Sequence, residues 1–143
     1  MNSDFVVALH AVTYLCHKGT TLNSEALAQN ICTNPARVRR VMAKLSRAGL
    51  VETREGRADG GYRCESRDMT LDRLADALGI RFPDVGWKSG DPGDPCMVCS
   101  GMPAYMEILD QGLNDRLRDY LRGITVADVE RWLAENKERK DGK

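Results

Sequence analysis

The chain has 143 residues, and its 21 Lys and Arg are balanced by 21 Asp and Glu, so the formal net charge is zero. That length suits one domain with an appended helix, and no apolar run reaches the length of a secretory core segment or a membrane span, so the expected setting is the cytoplasm with no membrane partner. The charge is unevenly spread: residues 34–63 hold eight basic and three acidic side chains, a net of +5 against −5 elsewhere, which puts the footprint for a polyanion on one module.

In chain order, Ser3 to Lys18 carries Phe5, Ala8, Leu9, Val12, Leu15 and Cys16 on one stripe and is a core helix that also contributes to a subunit contact. Leu22 to Ile31 is a short helix with a capping residue and apolar Leu27, Ala28 and Ile31. Only Cys32 and Thr33 separate it from Asn34, so a tight helix-turn-helix follows. Asn34 can cap a helix that Pro35 begins, and Val38, Val41, Met42 and Leu45 recur at i, i+3, i+4 and i+7. At about 100° per residue, Ala36, Arg40, Ala43, Lys44 and Arg47 face the other way, with Arg37 and Arg39 on the flanks. Small residues beside long cations suit a DNA groove: the backbone can approach the bases, and Arg or Lys supplies donors to guanine edges or phosphate. A solvated charged face is the alternative for this helix taken alone.

Val51 to Arg54 and Tyr62 to Glu65 are predicted as two short strands around residues 56–61, with Val51, Thr53, Tyr62 and Cys64 alternating inward and Gly60-Gly61 allowing positive φ. This is a β-wing, and Arg54, Arg57 and Arg63 lie on or beside it, where a wing-tip Arg enters the adjacent minor groove. The expected DNA-contacting set is Ser24, Asn34, Ala36, Arg37, Arg39, Arg40, Lys44, Arg54, Arg57, Gly60 and Gly61. Thr70 to Gly79 is a further helix between a Thr cap and a Gly stop. Residues 80–95 are rich in Pro, Gly, Asp and Ser, with Phe82 and Trp87, and form a loop or hinge.

Met102, Met106, Leu109, Leu113, Leu117, Leu121 and Ile124 then recur at steps of three or four. A helix with this stripe has no partner of its own length in the chain, so its expected partner is a second copy, with Met106, Leu109, Leu113, Leu117 and Leu121 at the interface. Folding back onto the winged module is the alternative. Gly123-Ile124-Thr125 breaks the helix, a last helix starts behind Thr125, and the charged tail from Glu135 is expected to fray. The predicted fold is mainly α with a small β-wing: a winged helix-turn-helix domain over 1–79, a hinge with a CxxC over 80–101, and dimerisation and C-terminal helices over 102–143.

Residues 1–11, Thr33 to Arg40, Gly60-Gly61-Tyr62 and Leu121 to Asp128 together resemble the Rrf-two family of winged-helix transcription regulators. That family includes the iron-sulfur cluster regulator, the nitric-oxide-responsive repressor, the cysteine-metabolism repressor and the hypochlorite-responsive regulator. The resemblance covers nearly the whole chain. It implies a homodimer joined by the long C-terminal helix, a double-stranded, pseudo-palindromic DNA operator, and a cysteine-linked signal.

Five cysteines are present, and in the cytoplasm they rest reduced. Cys16, Cys32 and Cys64 fall at positions where a free Cys packs as a small hydrophobe. Cys96-Met97-Val98-Cys99 differs: it lies in a polar segment just before the long helix, where a thiol has a lowered pKa. The spacing leaves open a disulfide, half of a zinc site or part of an iron-sulfur site. Zinc would need two further ligands, which no second CxxC or paired His motif supplies. The cluster-binding members of the family place three cysteines in this region and this chain has two. An iron-sulfur cluster would therefore need His10 or a partner subunit's thiol, and no metal ligand or cofactor is assigned.

Cys96, Cys99 and Cys16 are the candidate sensor residues. The functional expectation is a homodimeric DNA-binding regulator acting as a repressor, its affinity modulated by thiol oxidation. Alternatives are a cluster-sensing regulator, a small-ligand-sensing regulator using Phe82 and Trp87, or a small CxxC thiol oxidoreductase. The oxidoreductase lacks the βαβ pattern such chemistry uses, and His10 and His17 read as surface or interface residues, so no enzyme is expected.

Overall fold

The computed structural model describes residues 2–56, 60–81 and 89–142. Helix α1 (Ser3–Lys18) begins where the Asn2 side chain accepts the backbone N–H groups of Asp4 and Phe5 at 2.9 and 3.2 Å, and ends at Gly19 with φ 65°. Its buried stripe of Phe5, Val7, Ala8, Ala11, Val12, Leu15 and Cys16 is the floor of the core. Helix α2 (Ser24–Ile31) is capped by Asn23 through the Ala26 N–H at 2.8 Å, and α3 (Pro35–Arg47) by Asn34 through the Arg37 N–H at 2.8 Å. Each cap satisfies a donor the helix cannot. Cys32, in the turn between them, has φ 68°, the left-handed region that non-glycine residues seldom occupy. Val38, Val41, Met42 and Leu45 of α3 are fully buried, as their spacing requires.

Strands β1 (Glu52–Arg54) and β2 (Gly61–Arg63) pair antiparallel in the register Glu52↔Arg63, Thr53↔Tyr62 and Arg54↔Gly61. The ladder is shorter than the alternation suggests. Val51 and Cys64, just beyond its ends, are buried as the alternation requires, whereas Thr53 is exposed and Tyr62 half-buried. Leu22 pairs with Tyr62 through two backbone hydrogen bonds of 3.0 and 2.8 Å, so the root of the wing is tied to the segment leading into α2.

Helix α4 (Leu71–Ala77) follows Thr70, whose side chain makes no capping hydrogen bond, contrary to the predicted Thr cap. Thr70 instead forms an antiparallel backbone bridge with Thr125. Around it, Leu71 N–H donates to Ile124 O at 3.0 Å, Val126 N–H to Met69 O at 2.9 Å, and Ala127 N–H to Arg67 O at 2.8 Å. These bonds bring α6 (Val126–Asp141) back to the N-terminal residues. The chain accordingly divides into one unit of residues 1–80 with 122–143, and another of residues 81–121. The C-terminal helix of the 102–143 segment therefore groups with the N-terminal residues. Thr125 caps α6 reciprocally with Asp128, and the helix runs to Asp141.

Helix α5 (Met97–Arg122) starts five residues before the apolar stripe does and takes Cys99 into its first turn. Pro103 has no N–H to give the Cys99 carbonyl, and Asp91 N–H fills that place at 2.9 Å. Gly90, with φ 90°, lies so close that a Cβ there would collide with Cys99 O. The preceding loop thus stabilises a helix start that residue propensities alone disfavour.

Candidate nucleic-acid interface

The outer face of α3 presents Ala36, Arg39, Arg40, Ala43 and Arg47 as exposed, with Arg37 and Lys44 half-buried. Asn34 is exposed, but its side-chain oxygen is engaged as the cap. Arg39 Nη1 donates to Ser24 Oγ at 3.1 Å and lies 3.8 Å from Glu25 Oε1. Ser24 is itself buried, and its hydroxyl holds Arg39 rather than reaching outward.

Arg37 and Arg40 both converge on Asp4 Oδ1, at 3.3 and 3.2 Å. Partial burial raises the Asp4 carboxyl, but the hydrogen bonds from Arg40 and Arg37 outweigh it and hold the group below its usual range. Asp4 is therefore an internal anion occupying two cations of the helix that would meet a polyanion. Sequence spacing could not find it, because it lies more than thirty residues upstream on a different helix.

On the wing, Arg54 is exposed and Arg63 is paired with Glu65 at 2.6 Å. Arg57, with the tip residues Ala58 and Asp59, lies outside the described residues. Gly61 has φ 142°, and a Cβ there would run into Leu22 O; one on Gly60 would run into Gly56 O. Both glycines are thus needed for backbone closure. Between the start of α2 and the wing lies a polar groove of about 280 Å³ lined by Ser24, Glu25, Arg54, Gly60, Gly61 and Tyr62, among others. Arg39 of α3 reaches Ser24 and Glu25 at the edge of this groove, which links the helix face to it.

The thiols are free and fall into different settings. Cys96 is exposed at the mouth of α5, where the backbone N–H groups of Cys99 and then Val98 lower its pKa; Cys99 is half-buried. Cys32 is exposed, correcting its assignment to the core: the left-handed turn projects it outward. Cys16 and Cys64 are buried together. Phe82 and Trp87, proposed to line an effector pocket, lie outside the described residues.

Along α5, Leu109, Leu113 and Leu117 are 43%, 52% and 39% exposed, while Met106 and Leu121 are half-buried. Tyr105, Ile108 and Tyr120, which the stripe did not include, are also exposed. The first unit carries an apolar groove of about 540 Å³ between α1 and α6, lined by Val6, Leu9, Tyr14, Val129 and Leu133 with His10 and His17 among its polar members. His10 contacts Asn30 at 2.7 Å and His17 contacts Glu130 at 3.3 Å. Among the described residues, no helix is long and apolar enough to cross a membrane.

A sequence profile of the Rrf2 (Rrf-two) family, described as iron-dependent transcriptional regulators, matches residues 1–131. No curated protein sequence matches. A candidate transcriptional regulator from Lactobacillus plantarum superimposes with a TM-score of 0.78 at 24% identity, each chain covered completely. CymR (YrzC), the global cysteine regulator of B. subtilis, gives 0.66 at 20% identity over 92% of this chain and 96% of the other. IscR of T. potens gives 0.69 at 18% over 95% and 89%. These likenesses show the winged-helix fold. Among the described residues of a single chain, no three His, Cys, Asp or Glu side chains converge on a point where a metal ion could sit.

Proposed function

The chain belongs to the Rrf2 family of transcriptional regulators, and from that premise we propose a homodimeric, sequence-specific DNA-binding repressor whose operator affinity responds to thiol oxidation. The observation that carries the DNA reading is the exposed face of α3, where small Ala36 and Ala43 alternate with Arg39, Arg40 and Arg47 beside a glycine-closed wing. In this reading α3 enters the major groove, its alanines allow close approach, and its cations take guanine edges and phosphates. Arg54 reaches the neighbouring minor groove, a role the sequence also assigns to Arg57. Ser24 positions Arg39 instead of touching DNA itself.

The exposed leucines of α5 support self-association, since a 26-residue helix showing such a stripe to water is costly without a partner. Two heads on a two-fold axis address half-sites about one helical turn apart. Bound there, the dimer would exclude competing proteins from the operator, and its place is with the DNA in the cytoplasm. Because the family is one of transcriptional regulators, the thiol oxidoreductase alternative is set aside.

Cys96 is the exposed thiol with the lowered pKa, so it is the sensor favoured by chemistry, with Cys99 beside it. Its modification changes DNA affinity only by the difference in its energy between bound and free states. Selection of tight binders from a randomised duplex pool, followed by anisotropy titration, tests the DNA reading. A pseudo-palindrome with steep salt dependence is expected, and indifference to every duplex at low salt refutes it. Titrating wild type and Cys96→Ser with and without oxidant tests the sensor. Identical responses would remove Cys96 from the mechanism.

A further inference from the structure

Cys16 on the buried stripe of α1 and Cys64, directly after β2, are 48 residues apart in sequence, yet their Sγ atoms are in contact at 3.7 Å. The side chains are 2% and 4% exposed, so the packing of the core holds them together. Spacing alone assigns both as small apolar fillers. Their surroundings are polar in a directed way. The Cys16 S–H donates to Cys64 Sγ, the Cys64 S–H faces Leu50 O at 3.6 Å, and Arg67 Nη2 donates to the Cys16 carbonyl at 2.8 Å while its Nη1 is held by Glu130 at 2.7 Å.

We propose that Cys16 and Cys64 form a redox-active dithiol that a small peroxide closes into an intrachain disulfide, a modification site separate from the CxxC of the second unit. The contact donates a hydrogen bond to Cys64, which against the opposing effect of burial brings its thiol down to about 7, and the same contact pushes Cys16 up. Near neutral pH one sulfur is thus partly thiolate while the other stays a thiol, the asymmetry that disulfide formation uses.

In the first step the Cys64 thiolate attacks one oxygen of hydrogen peroxide. The O–O bond breaks, Cys64 becomes a sulfenic acid, and the departing hydroxide takes a proton to leave as water. In the second, Cys16 sulfur attacks Cys64 sulfur, the S–O bond breaks, and the Cys16 proton leaves with that oxygen as a second water. Two thiols lose two electrons and one peroxide becomes two waters. A reducing dithiol reverses the closure by exchange. The sulfurs must approach from 3.7 Å to about 2 Å, a movement two side chains can share. The oxidant is little larger than water, and Cys64 lies outside the strand ladder in a segment without helix or strand, where local opening admits it. The bond would join α1 to the root of the wing.

The test uses the full chain carrying Cys32→Ser, Cys96→Ser and Cys99→Ser, which leaves two of the five cysteines. After hydrogen peroxide treatment, the protein is denatured and alkylated, and its thiols are counted by mass. The expected result is a fall from two reactive thiols to none, with loss of two hydrogens, restored by a dithiol reductant. Non-reducing digestion of wild type should yield the Cys16–Cys64 linked peptide, and Cys16→Ser, which keeps a hydrogen-bond donor beside Cys64 but no resolving thiol, should leave a Cys64 sulfenic acid that dimedone traps. Two thiols still alkylated after oxidation would overturn the proposal, as would addition of oxygen to Cys64 without a linked peptide, or a disulfide between subunits. None of these readouts requires DNA, so the proposal is judged independently of the operator reading.

Discussion

Replacing Asp4 by Asn should strengthen DNA binding. In the free protein the Asp4 carboxylate, 25% exposed, holds Arg37 and Arg40, whose side chains are 28% and 58% exposed. Partly screened pairs of this kind contribute roughly 0.5 kcal/mol each, so the two together are worth about 1 kcal/mol per subunit. DNA phosphates compete for the same guanidinium groups, and the bound state therefore loses less than the free state when the carboxylate is removed. Affinity should rise roughly fivefold per reading head, or about thirtyfold for a dimer engaging both half-sites, since 1.4 kcal/mol is tenfold. The slope of log affinity against log salt should also steepen, because cations formerly neutralised within the protein now displace counterions.

Fluorescence anisotropy with a labelled duplex, titrated from about 50 to about 200 mM salt, reads both quantities. The gain should vanish when Arg37→Ala and Arg40→Ala are added. Unchanged affinity and slope in Asp4→Asn would refute the reasoning, since the two arginines would then not meet DNA. The same pairs give an acid signature. With its folded pKa depressed, Asp4 contributes stability above its unfolded value, about 3.9, that is lost as pH falls further. Wild type should show this loss in acid melts and Asp4→Asn should not.

Gly61→Ala forces a Cβ into Leu22 O at φ 142°, so it should cost about 1–3 kcal/mol in thermal unfolding and weaken DNA binding through the displaced wing. Leu113→Glu, placed on the exposed stripe of α5, should shift the sedimentation coefficient to that of a single chain while leaving the circular dichroism of the helices; an unchanged dimer would move the interface elsewhere. Iodoacetamide labelling at neutral pH should reach Cys96 first among the five cysteines, since it alone combines exposure with a lowered thiol pKa. With only Cys16 and Cys64 present, peroxide oxidation should accelerate as pH rises through about 7, where the Cys64 thiolate forms, and a flat profile up to pH about 8 would count against thiolate attack.

Much of the first unit was legible in the residues. Asn34-Pro35 marks a helix start, and the spacing of Val38, Val41, Met42 and Leu45 determines which side of α3 is buried and hence which cations face outward. Gly60-Gly61 marks the turn of the wing, although the reason for glycine is the Leu22 carbonyl, which no local pattern reveals. Helix α5 begins five residues ahead of its apolar stripe, a start that the stripe does not mark and that depends on Asp91 N–H reaching the Cys99 carbonyl from the preceding loop.

Periodicity and capping are encoded within a few neighbouring residues, so the sequence by itself determined the helices, the winged order of elements, the cationic face and the family. Contacts between residues distant along the chain carry no such signal, because any of many pairings is compatible with the same local pattern until the core closes. Tertiary structure alone decided that Asp4 holds Arg37 and Arg40, that α6 returns to Met69 and Leu71, and that Cys16 meets Cys64. The charge available to DNA and the thiols available to oxidants both follow from those long-range choices.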